Sequence, residues 1–170
     1  MKARIKKIKV LAMDVDGVLT DGKIIFDSGG KETKIFNVQD GFGIVILKRA
    51  GFKTAILTAR ASKVVTIRAK DLNIDKTYQD AYPKLEAYEK MLRGFSVKDE
   101  EVCFMADDLP DLQVLKRVGF AVAVSNAVPE IKRAAHYTTR KKGGRGAVRE
   151  VIELILKTQG KWKEVFSRFE

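Results

Sequence analysis

Apolar runs of strand length recur along the chain, separated by segments whose apolar positions repeat with helical period. The runs cover residues 8–13, 54–57, 102–106 and 120–124, with a weaker one at 77–78. The helical segments carry the expected punctuation. "FGIVILKRAG" ends on Gly51, and "ASKVVTIRAKDLN" repeats apolar residues at Val64, Ile67 and Leu72. "PKLEAYEKML" opens with Pro83 and stops before Gly94, "DLQVLKRVG" stops at Gly119, and "AVREVIELILK" follows a glycine cluster. Such alternation predicts an α/β fold, Rossmann-like, with a mostly parallel sheet and helices on both faces. One segment departs from it. "KIIFDSGGKETKIFNV", residues 23–38, reads as strand, turn and strand, with Ser28-Gly29-Gly30 at the turn, so a β-hairpin is expected directly after the first strand. No repeat or linker interrupts the pattern. A single domain over residues 1–170 is expected, with the hairpin at 23–38 and a C-terminal helix and tail at 143–170.

Composition narrows the picture. A hydrophobic content of 45% with 32% charged residues fits a soluble globular protein, and no apolar stretch is long enough to span a membrane. The basic start "MKARIKKIKVLAMDVDG" is interrupted by Lys9 and Asp14 and lacks a small-residue cleavage site. It therefore reads as a strand rather than a leader, which places the protein in the cytoplasm. The single Cys103 sits in "VCFMA" as a core thiol, and His136 and Trp162 read as structural. The net charge is +11, but basic residues are scattered among acids and cluster only at residues 140–142 and near the start, without interleaved aromatics. That pattern suits anionic small molecules better than nucleic acid.

The chemistry concentrates where strands end. "VLAMDVDGVLTDG" runs from an apolar strand into Asp14, Asp16 and Asp21. "LTAR" places Thr58 and Arg60 after the second strand, and "ADDLPD" places Asp107, Asp108 and Asp111 after the Cys103 strand. Ligands of open α/β sheets bind at these carboxyl ends. A single Asp there often caps a turn, a lone Thr58 reads as a cap, and a lone Lys84 reads as solvated surface. Two acidic clusters, each behind an apolar strand, instead call for a hard cation with oxygen ligands such as Mg²⁺, and a cation with a hydroxyl and an ammonium nearby suits a phosphoryl group. One His and one Cys disfavour a His/Cys zinc site and a Ser-His-Asp triad, and no P-loop is present. "GGRG", residues 143–146, precedes a helix, so Gly143, Gly144 and Arg145 make a candidate anion site.

With DxDGxLT at Asp14–Thr20, then Thr58, Lys84 and "DDLPD" in order, the sequence resembles the haloacid dehalogenase superfamily. "VQDGFGI" and "GGRGAVRE" bring it closest to the 3-deoxy-D-manno-octulosonate 8-phosphate phosphatase family, although Ala106 stands where a glycine is usual. The resemblance implies Asp14 as nucleophile and Asp16 as general acid and base. It implies Mg²⁺ held by Asp14, the Asp16 carbonyl and Asp107, supported by Asp108 and Asp111. Thr58 and Lys84 would bind the phosphoryl group, and Arg60 and residues 143–145 the rest of a phosphorylated sugar acid. The spacing leaves no room for a cap domain. The resemblance also implies a homotetramer in which hairpins pack together and a neighbour's tail covers the site; the apolar hairpin residues Ile24, Ile25, Phe26, Ile35 and Phe36 fit this. An N-acylneuraminate 9-phosphate phosphatase is the nearest alternative enzyme. A receiver-like or scaffold protein is the non-catalytic alternative, but receivers place the acidic pair on the first strand, the reverse of the order here.

Overall fold

A computed structural model describes residues 1–167. Its centre is a six-stranded sheet formed by β1 (Val10–Met13), β4 (Lys53–Leu57), β5 (Lys76–Tyr78), β6 (Val102–Ala106), β7 (Phe120–Ala123) and β8 (Tyr137–Thr138). The spatial order is β5-β4-β1-β6-β7-β8 and every pairing is parallel. β1 and β6 lie at the middle, paired from Val10↔Val102 to Met13↔Met105, and every residue of both is buried. This is why those runs are continuously apolar rather than alternating. Residues that follow β1, β4 and β6 emerge together at one end of the sheet.

Helices cover both faces. α1 (Lys2–Lys6), α2 (Val38–Arg49), α7 (Ala147–Thr158) and α8 (Trp162–Phe166) pack as one group. α4 (Lys84–Phe95), α5 (Leu112–Leu115) and α6 (Pro129–Ala134) form another, while α3 (Lys63–Asp71) links β4 to β5. The sequence dictates the α7 contact directly: Val148, Val151, Ile152, Ile155 and Leu156 recur at helical spacing and are all fully buried. Asn37 starts α2 by accepting hydrogen bonds from the Gln39 and Asp40 amides at 2.8 and 3.2 Å, and Ser62 starts α3 by accepting from Val65.

The hairpin is present but shorter than its sequence implies. Only β2 (Ile25–Phe26) and β3 (Glu32–Thr33) pair, antiparallel, as a separate two-stranded sheet. Beyond Thr33 the chain descends toward the core, with Phe36 packed against it, and that descent ends the pairing. α4 passes through Gly94 to Phe95, where Ser96 in a left-handed conformation (φ 55°) ends it in glycine's place. α1, α6 and β8 were not legible, being six residues or fewer. Among the described residues, no helix is long and apolar enough to cross a membrane.

Candidate active site

Asp14, Asp16, Thr58, Arg60, Lys84, Asp107, Asp108 and Asp111 line one cavity of about 260 Å³ at the C-terminal ends of β1, β4 and β6. A larger hollow of about 620 Å³ lies at the opposite ends of the strands, lined by residues such as Lys6, Lys9 and Phe52, away from this chemistry. The sequence-derived set thus converges from four separate loops.

The innermost group is Lys84 with three carboxylates. Among the described residues, Asp14, Asp107 and Asp111 bring carboxylate oxygens within 4.8 Å of one another. Lys84, almost wholly buried at the start of α4, pairs with Asp14 at 3.0 Å and with Asp111 more tightly. Burial opposes its charge, but Asp14 and Asp111 outweigh burial and hold its pKa above the ordinary lysine value. One ammonium does not balance three acids. Burial, then repulsion from Asp14, pushes Asp107 up to about 7 and Asp111 up to about 8. Burial raises Asp14 as well, more than Lys84 lowers it. Asp107 Oδ1 and Asp111 Oδ2 are buried without a hydrogen-bond partner, and Asp14 Oδ1 has only its ion pair with Lys84. Hard oxygen donors, orphaned and facing one another, fit a divalent cation. Asp108 does different work: it is exposed and caps the next turn, accepting from the Leu109 amide at 2.8 Å.

Thr58 is buried at the end of β4, its backbone tied to Tyr78 and Ala81 and its hydroxyl oxygen 3.5 Å from the Arg60 amide, which leaves the hydroxyl proton free to donate. Gly17 fixes the loop after β1. Its φ of +89° suits glycine, and a Cβ there would come within 1.9 Å of Asp107 Oδ2. The Asp14–Asp16 loop is therefore pressed against the Asp107 carboxylate. Asp21, third in the motif, points away and pairs at the surface with Lys23 at 3.3 Å and Arg145 at 3.8 Å.

The glycine loop departs from its expected use. Residues 143–145 do not line the cavity. The Gly143 amide is spent on Asn126 Oδ1 at 2.7 Å and the Gly144 amide on Val18 O at 3.0 Å. A Cβ on Gly143 would sit 1.7 Å from Gly17 O, so the glycines allow backbone-to-backbone contact with the loop after β1 rather than cradling an anion. The anion at the start of α7 is the protein's own Asp40, which accepts from the Gly146 amide at 3.1 Å and the Arg149 amide at 2.8 Å. This explains the Asp of "VQDG". The Arg145 side chain is 70% exposed and extends to Asp21 at 3.8 Å.

Sequence reasoning missed a second group. Lys34, read as hairpin surface, has a side chain only 1% exposed and reaches Asp16 Oδ1 at 2.5 Å and Glu32 at 3.2 Å. Arg60 spans the same two acids, 3.7 Å from Asp16 Oδ2 and 3.4 Å from Glu32, and Ser62 donates its hydroxyl to Glu32. The usable signal was the alternation of residues 32–36, which places Glu32, Lys34 and Phe36 inward and Thr33 and Ile35 outward.

Comparison with known proteins agrees with this geometry. The family model described as haloacid dehalogenase-like hydrolase matches residues 54–152. The 3-deoxy-D-manno-octulosonate 8-phosphate phosphatase of Yersinia pestis is 46% identical over 158 residues, covering 93% of this chain and 84% of the relative. That of Escherichia coli K12 is 43% identical over 162 residues, covering 95% and 86%. The crystal structure of the phosphatase of the same name from Moraxella catarrhalis, in complex with magnesium, phosphate and 3-deoxy-D-manno-octulosonate, superposes with a TM-score of 0.97 at 42% identity, covering 99% of this chain and 97% of that one. The chain belongs to the haloacid dehalogenase-like hydrolases and groups there with the 3-deoxy-D-manno-octulosonate 8-phosphate phosphatases.

Proposed function

We propose that the chain hydrolyses 3-deoxy-D-manno-octulosonate 8-phosphate to the free sugar acid and phosphate, with Mg²⁺ as cofactor, in lipopolysaccharide precursor synthesis. The observation that carries the reading is the uncompensated group of Asp14, Asp107 and Asp111 around Lys84 at the mouth of the central strands.

Asp14 attacks phosphorus, forming an aspartyl-phosphate as the bond to the sugar oxygen breaks. Asp16 gives its proton to that departing oxygen. Asp16 then takes a proton from water as the water attacks the aspartyl-phosphate, releasing phosphate and restoring Asp14. Thr58 and Lys84 bind phosphoryl oxygens and stabilise the charge that builds on them. Asp14, the Asp16 carbonyl and Asp107 would hold Mg²⁺, with Asp111 locking Lys84 beside it and Asp108 capping the supporting turn. When bound, the ion neutralises phosphoryl charge that would otherwise repel a carboxylate nucleophile. Arg60, 42% exposed, exchanges its loose ion pairs for the substrate carboxylate, and Arg145 is available to a substrate anion at the rim.

The chain is read as one domain acting in the cytoplasm, assembled as a homotetramer. Ile24, Phe26 and Ile35 of the hairpin are 52, 57 and 66% exposed, a face that a second copy would cover. Light scattering at micromolar concentration tests the assembly; a monomer overturns it. Of the expected tail, residues 168–170 lie outside the described residues.

The deciding experiment is phosphate release with Mg²⁺ on a panel of 3-deoxy-D-manno-octulosonate 8-phosphate, an N-acylneuraminate 9-phosphate and hexose phosphates. Strong preference for the first is expected. Preference for the second reassigns the substrate, and no release from any ester by folded, metal-loaded protein overturns the phosphatase reading.

A further inference from the structure

Lys34 is a lysine whose burial needs a reason. Its side chain is 1% exposed, on a hairpin whose neighbouring residues face solvent, and its ammonium is aimed at the carboxylate that the proposed chemistry uses for proton transfer. An ammonium is withdrawn from water at considerable cost unless paired. Here Asp16 Oδ1 at 2.5 Å and Glu32 at 3.2 Å provide the pairing. Arg60 closes the arrangement from the far side, and Ser62 fixes Glu32 by a hydroxyl donated from the start of α3. The result is a ring of two acids and two cations drawn from three places: the loop after β1, the hairpin and the loop after β4.

The ring distinguishes the two oxygens of Asp16. Oδ1 is engaged by Lys34 at hydrogen-bonding distance. Oδ2 lies 3.7 Å from Arg60 Nε, beyond that distance. An aspartate on a loop otherwise has two soft side-chain torsions and can swing from the reacting ester into solvent.

We infer that Lys34 is a positioning residue for Asp16: it anchors Oδ1 and thereby presents Oδ2 to the oxygen that leaves phosphorus. Lys34 acts through Asp16 and touches no reacting atom. The hairpin thus contributes to proton transfer as well as to the molecular surface. The inference rests on the phosphatase reading above, and its test separates the two.

The test is the leaving-group dependence of Lys34→Met. A sugar or simple alkyl phosphate needs its departing oxygen protonated; p-nitrophenyl phosphate releases a stable phenolate and does not. Because a general acid contributes about 10²–10⁴-fold, first-turnover release of the alcohol from the alkyl ester should slow by about 30-fold or more in the variant, while first-turnover release of p-nitrophenolate slows by less than about threefold; the later hydrolysis of the aspartyl-phosphate, which also uses Asp16, is common to both esters. Lys34→Arg, which retains an inward cation, should recover much of the alkyl-ester rate. The Mg²⁺ concentration for half-maximal activity should not move, since the side chain of Asp16 is not a ligand. If Lys34→Met does not fold, Lys34→Gln reads the same ratio. Equal losses in first-turnover release from both esters, or an unchanged first-turnover rate on the alkyl ester in a folded variant, overturn the role of Lys34 alone. A wild-type protein inactive on both esters overturns the phosphatase reading, and this inference with it.

Discussion

Two charged groups lie side by side at the C-terminal ends of the central strands, and they are balanced differently. Around Lys84 stand three carboxylates with one ammonium; around Lys34 and Arg60 stand two carboxylates with two cations. The first group leaves oxygens without partners and holds Asp107 and Asp111 far above ordinary carboxylates. The second closes on itself. Such an excess of negative charge is relieved by protons or by a cation, and the orphaned, facing oxygens of the first group fit a divalent cation. The second joins the hairpin to that machinery. Asp40 illustrates a third solution, a buried acid met by the amides of a helix start instead of a cation.

The comparison can be broken most directly at Asp14. Asp14→Asn removes the proposed nucleophile and one of the three competing charges, so phosphate release should fall by about three orders of magnitude or more while the fold persists. Substantial residual turnover in a purified, folded variant would end its assignment.

Metal and proton compete for the same oxygens, which sharpens the contrast. Asp107 and Asp111 are raised above an unfolded value of 3.8, to about 7 and about 8. The folded state therefore holds protons that the unfolded state has lost. Their contribution to stability is complete below the unfolded value and is lost as pH rises through the folded values. Melting of the chelator-treated protein should fall across that window. The gain in Tm from excess Mg²⁺ should grow from about pH 6 to about pH 8, as Asp107, the proposed ligand, and its neighbour Asp111 deprotonate. A metal-induced gain independent of pH would show that Asp107 is not a ligand.

Smaller effects test the self-contained arrangements. Asp40→Ala leaves the Gly146 and Arg149 amides unpaired in a buried contact, so urea denaturation should show a loss of about 1–3 kcal/mol with kcat little changed. A loss of activity without a loss of stability would place Asp40 in the site instead. Arg145→Ala removes only an exposed, 3.8 Å ion pair, so KM should rise by about fivefold at most with kcat retained. A pure loss of kcat would mean Arg145 acts on the chemical step.

These two groups also differ in how well they could be read in advance. Asp14, Asp107 and Asp111 follow apolar strands, and a parallel sheet brings strand ends together, so their convergence followed from pattern alone. Thr58 converged for the same reason. Lys84, which alone reads as surface, was recoverable only through the order of the motifs, because its burial depends on a neighbouring loop. The Lys34 ring was only half legible: the alternation of residues 32–36 turns Glu32 and Lys34 inward, but Asp16 and Arg60 lie far from them in sequence and meet them only when the hairpin folds back over the loop after β4. In sequence, glycines before a helix suit an anion site and a backbone crossing equally well; in "GGRG" the packing of Gly143 against Gly17 is a backbone crossing. Short elements such as α1 and β8 carry too few residues for a period to register.

The lengths of the outermost strands bear on how copies of this protein meet. β5 has three residues and β8 two, so the main sheet offers very little unpaired backbone at either margin. Strand-by-strand extension of the sheet from one molecule into the next, the route by which exposed margins seed aggregates, is curtailed by geometry. The proposed assembly would instead meet through the hairpin, whose two strands pair only with each other.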